Sequence, residues 1–135
     1  MTTEELQQRI AASPALQDLQ RKLTDELVLQ ADNENCQFDP ILVIMIISVL
    51  VQVIIHCREQ NSDESIAQNM RELRTLPPRK LMRLRRRLNN LWREHCAKTG
   101  TTYTRDNPVV GAVYSLSDTI DDAAAAGLME LAPAR

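Results

Sequence analysis

Residues 41–55 read ILVIMIISVLVQVII, and thirteen of these fifteen positions are apolar, on every side of a helix. An element that is hydrophobic all round must be surrounded by something other than water. It is the centre of a large core, the seam of an oligomer or a membrane span. Ile and Val dominate the run, so a buried β-strand is a further alternative. Fifteen uninterrupted residues exceed the usual strand, Asp39-Pro40 is a helix start, and no other segment offers a partner strand. Helix is therefore the expectation.

A chain of 135 residues is ordinarily one domain, long enough to bury a core but short for hiding an all-apolar helix inside a monomer. That favours oligomerisation or a membrane. Phe38, Trp92, Tyr103 and Tyr114 are the whole aromatic stock, so the core rests on Leu, Ile, Val, Met and Ala, which suits packed helices. The net charge of −2 hides a strong polarity. Residues 1–39 carry 3 basic and 8 acidic side chains, and residues 40–77 carry 3 and 4. Residues 78–105 carry 9 and 1, and residues 106–135 carry 1 and 5. The basic block is local and the ends are acidic.

Helix starts recur as a capping side chain followed by proline: Ser13-Pro14, Asp39-Pro40 and Asn107-Pro108. Ser62 with Asp63 and Glu64 adds a fourth start and Pro77-Pro78 a fifth. Between them apolar residues fall at helical spacing: Leu16, Leu19, Leu23 and Leu27, then Ile66, Met70 and Leu73, then Leu81, Leu84, Leu88, Leu91 and Trp92. Gly100 supplies a stop after Lys98. These signals predict helices near 3–11, 14–31, 40–60, 63–75, 78–98, 108–116 and 118–131. The expected fold is all-α, one helical bundle around the apolar helix, with a basic amphipathic helix beside it. Residues 1–39 and 106–135 form its acidic ends.

For a membrane span, thirteen apolar residues contribute on the order of −4 to −8 kcal/mol before the cost of Ser48 and Gln52. The difficulty is length, because fifteen residues rise about 22 Å against a hydrocarbon core of about 30 Å. Extending the helix takes in His56 and Arg58, or Pro40 and Asp39. For an assembly seam, Ser48, Gln52 and His56 recur every four residues and form one mildly polar stripe that facing copies could share. The blander alternative is that this stripe faces the protein's own polar helices. The residues of this oligomer or membrane helix are Ile41, Ile44, Ile47, Ser48, Val51, Gln52 and Ile55.

Arg79, Lys80, Arg83, Arg85, Arg86, Arg87 and Arg93 lie on a helix whose other face is leucine, with Trp92 on the flank. Such a strip attracts anions: the nucleic-acid backbone, bound with a steep salt dependence, or anionic lipid. Alternatively the acidic N-terminal segment or a neighbouring subunit neutralises it. If it binds nucleic acid, replacing Arg85, Arg86 and Arg87 together by Gln is expected to remove most of the binding.

No catalytic or nucleotide-binding signature accompanies these helices, and no enzymatic activity, metal or cofactor is expected. His56-Cys57 and His95-Cys96 repeat a dipeptide, but adjacent helical residues point about 100° apart and do not chelate easily. Cys36, Cys57 and Cys96 are odd in number and widely spaced, which predicts buried thiols in a reducing compartment. Asp118, Asp121 and Asp122 cluster at a helix start, where the helix dipole accounts for them without a cation. The N-terminus has no secretory organisation.

The segments ILVIMIISVLVQVII and RKLMRLRRRLNNLW resemble, in style, those of the small internal core or ejection proteins of tailed bacteriophages. That resemblance implies a non-enzymatic structural protein of the virion interior or host cytoplasm. Its apolar helix would pack in a homo-oligomer or against other proteins of the same assembly, and its basic helix would contact nucleic acid or a partner. The alternatives are a single-span protein of the inner membrane and a soluble, sequence-nonspecific nucleic-acid-binding accessory protein.

Overall fold

Capping signals in the sequence become helix starts in the structure, a computed structural model that describes residues 2–31, 40–54, 63–73, 76–100 and 107–131. Seven helices and no strand occur among these residues: α1 (Thr3–Ala11), α2 (Pro14–Ala31), α3 (Pro40–Ile54), α4 (Asp63–Arg71), α5 (Pro78–Thr99), α6 (Pro108–Ser117) and α7 (Asp122–Leu131). The fold is all-α.

The caps follow the chemistry of their residue types. Thr2 Oγ1 accepts from the Glu5 amide at 3.1 Å and opens α1. Asn107 Oδ1 accepts from Val109 and Val110 and opens α6 before Pro108, whose missing N–H would have had no partner there. Gly100 closes α5 at φ 71°, a left-handed conformation that glycine adopts without a Cβ penalty.

Two boundaries differ from expectation. α4 ends at Arg71 rather than near residue 75. α7 begins at Asp122 rather than 118, because Asp118 serves as the C-cap of α6 while Asp121 Oδ1 accepts from the Ala124 amide at 2.8 Å and caps α7. Buried Ile120 pins the turn between them. Residues 55–60, expected to extend the apolar helix, lie outside the described residues, as do Cys36, Ile55, His56, Cys57, Arg58 and Ser62.

α3 is the axis of the bundle and packs against α1, α2, α4, α5 and α7. Leu42, Val43, Ile44, Ile46, Ile47, Val49, Leu50, Val51 and Val53 are all buried. The expectation that a chain this short cannot readily hide such a helix is corrected here. Five one-sided helices of the same chain each lend α3 an apolar face. α2 contributes Leu16, Leu19, Leu23 and Leu27, and α5 contributes Leu84, Leu88, Leu91 and Trp92. α6 closes the outside of the bundle against α2 and α5.

Candidate functional site

At 100° per residue, the eight Arg and Lys side chains of α5 cannot share one face, and the structure divides them. Arg79, Arg83 and Arg86 are exposed on the side away from the core, with the exposed Arg93 continuing the same face. Arg79 and Arg93 are fourteen residues apart, about 21 Å along the helix. Met82, 62% exposed, stands among them. Lys80 is half-buried at the edge.

Arg85 and Arg87 belong to the flanks. Arg85 Nε donates to the Tyr114 hydroxyl of α6 at 2.9 Å, with its guanidinium carbon 5.7 Å from the ring centroid. Arg87 donates to the side-chain carbonyl of Gln52 on α3. Of the contiguous triplet, Arg85 and Arg86 are exposed and Arg87 is half-buried, and the two outer members are held by Tyr114 and Gln52. Trp92 is 5% exposed and stacks on His95 at 5.4 Å between ring centroids, so its ring packs in the core.

Neutralisation from the acidic N-terminal segment does not reach the outward face among the described residues. Asp18 pairs with its own helix neighbours Arg21 and Lys22, and Asp122 pairs with Arg71 at 3.3 Å. None of these carboxylates meets Arg79, Arg83 or Arg86.

The polar stripe of the apolar helix also finds its place. Ser48 and Gln52 lie on the one strip of α3 that is not covered, together with half-buried Met45 and Ile41, which is 44% exposed. Gln52 Nε2 donates to Ser48 Oγ at 3.2 Å, and its carbonyl receives Arg87. Beside this ladder α1, α3, α5 and the end of α7 leave a cleft of about 690 Å³. Ile44, Ser48, Val51 and Gln52 line it, whereas Ile47 is buried in the core and Ile55 lies outside the described residues. The sequence reading missed Leu6, Met45, Val49, Asn90 and Leu91 as lining residues. Its only trace of the cleft was the four-residue spacing of Ser48 and Gln52.

Among the described residues no group of three or more His, Cys, Asp or Glu side chains comes together to hold a metal ion. Cys96 is buried. No described helix is long and apolar enough to cross a membrane. Comparison with protein-family models, curated proteins and solved structures finds no match to this chain.

Proposed function

We propose that this chain is a non-enzymatic helical assembly protein that contacts the nucleic-acid backbone through the outward face of α5. The virion interior implied by the phage resemblance belongs to the same proposal. One observation carries it: Arg79, Arg83 and Arg86 are exposed on one face of α5 with no carboxylate among the described residues paired to them. A straight row of guanidinium groups suits repeating phosphates, whose charge is regular and whose sequence is irrelevant to the contact. Nothing on that face offers an array of amides or small polar groups for base edges, so the binding is nonspecific.

A membrane role has less support, because five helices of the same chain cover α3. Self-association through α3 would be limited to the Ser48–Gln52 strip.

The test is titration of short DNA duplexes of unrelated sequence at several salt concentrations. About three phosphate contacts predict a log–log salt slope of about −3, and Arg79→Gln, Arg83→Gln and Arg86→Gln combined should remove most of both affinity and slope. Binding that ignores salt, or that survives the triple replacement, would sink the proposal.

A further inference from the structure

The cleft beside α3 differs in character from the outward face of α5. α1 and α3 pack together, as do α3 and α5, and beside these contacts the α3 strip of Met45, Ser48 and Gln52 stays partly uncovered. Leu6, Ile44, Met45, Val49 and Leu91 supply apolar walls. Its size lies in the range of pockets that take one small organic molecule, about 300–1,000 Å³. Methionine on such a wall adapts to the shape of an apolar guest.

Polar groups are few and organised. Ser48 fixes the Gln52 amide, and the Gln52 carbonyl accepts from the half-buried Arg87. This ladder holds the guanidinium at the cleft with donors to spare, because one accepting carbonyl cannot use all five N–H groups. Asn90 lies one turn further along α5 and also lines the cleft. Charges on the other side come from Glu5 and Glu130, both exposed, and from Arg9, whose Nη1 donates to the Glu130 backbone carbonyl at 3.0 Å. Exposed carboxylates are screened by water, whereas a partly buried, pre-aimed guanidinium is screened less.

From this geometry we infer that the cleft binds a single-chain anionic amphiphile of the fatty-carboxylate class, with its head at Arg87 and Asn90 and its chain along the apolar walls. The site explains why an otherwise wholly apolar helix carries Ser48 and Gln52 one turn apart. They face the cleft rather than the core, where the amide groups of Gln52 that Ser48 does not satisfy would lack a partner.

The experiment uses the intact chain with monomeric decanoate, with decanol as the uncharged probe and with anionic phospholipid vesicles free of fatty acid. Calorimetry should show one saturable decanoate site, and methyl resonances of Ile44, Met45 and Val49 should shift on titration. Decanol should bind about fivefold more weakly, the upper end of the scale for one partly exposed charge contact. Arg87→Gln, a change at a half-exposed position, should remove the preference for decanoate while decanol binding persists. The inference is overturned if decanoate does not saturate a site, if decanol binds equally well, if Arg87→Gln keeps the preference, or if only vesicles bind.

Discussion

Arg87 on α5 donates a hydrogen bond to the side-chain carbonyl of Gln52 on α3, so the most basic helix of the chain is tied to its most apolar one by a polar strut. Gln52 in turn holds Ser48, which makes the strut a three-residue ladder. Replacing Gln52 by Lys sets two cations side by side and removes the acceptor. We expect a loss of about 0.5–1 kcal/mol at this exposed position, measured by urea denaturation. An unchanged midpoint would mean that the ladder contributes nothing to stability.

Arg85 lies on the opposite flank of α5, with its Nε on the Tyr114 hydroxyl and its guanidinium near the ring. Arg85→Gln should cost about 0.5–1 kcal/mol of stability by removing an exposed cation–π contact. It should leave duplex affinity nearly untouched, whereas Arg86→Gln should do the reverse. Equal losses of DNA affinity in the two variants would contradict the division of α5 into an outward face and anchored flanks.

Two helical glycines should respond with opposite signs. A Cβ at Gly127 on α7 would sit 3.1 Å from Cδ2 and Cγ of Leu16. Leu16 is 1% exposed and has nowhere to move. Gly127→Val is therefore expected to cost about 2 kcal/mol or more through overpacking. At Gly111 on α6 the obstacle is the Gln30 side chain, whose Oε1 lies 2.5 Å from the ideal Cβ position. Gln30 is exposed and can rotate away, giving up only a 3.4 Å contact to Ser115. Gly111→Ala should then gain about 0.5–1 kcal/mol from reduced backbone freedom in the unfolded chain and better helix propensity. Thermal unfolding of both variants checks the pair, and a destabilised Gly111→Ala would show that Gln30 is fixed.

Much of the fold was legible because the signals are local. Asn107-Pro108 and Ser13-Pro14 announce their helices through orphan amide chemistry, and Leu16, Leu19, Leu23 and Leu27 announce a single buried face. The start of α7 was not legible: Asp118, Asp121 and Asp122 are all good capping residues, and only the burial of Ile120 and the end of α6 decide that Asp121 caps. For α3, the composition of the run required burial but could not say by what. Its cover comes from five other helices spread along the chain. The cleft was least legible because its residues run from Thr2 to Leu131 and meet only in three dimensions.

Asp18 on α2 accepts from Arg21 and from Lys22 Nζ at 3.0 Å, and these contacts, that with Arg21 first, hold its carboxyl below the usual carboxylate range. A depressed carboxyl favours the folded state while ionised. The stabilisation is thus present above the unfolded value near about 4 and is lost as pH falls through the lower folded value. Solvent around the half-exposed Asp18 side chain keeps it small and sensitive to salt. A carboxyl-carbon titration should place Asp18 below an ordinary aspartate, and Arg21→Gln should move it upward. A midpoint that ignores Arg21 would show the pair to be without electrostatic consequence.

Ile47 and Leu50 are fully buried while Ser48 between them is half-exposed, so α3 should respond to substitution very unevenly. Ile47→Ala is expected to cost about 2–4 kcal/mol through lost burial and the cavity left behind, and Ser48→Ala less than about 0.5 kcal/mol. The decisive feature is concentration. If the helices covering Ile47 belong to its own chain, the denaturation midpoints of wild type and Ile47→Ala stay fixed when protein concentration is raised about a hundredfold. A seam between copies would instead make both midpoints climb with concentration, because association then adds its free energy to folding. Fixed midpoints would establish α3 as the intramolecular axis, and climbing midpoints would return it to the interface.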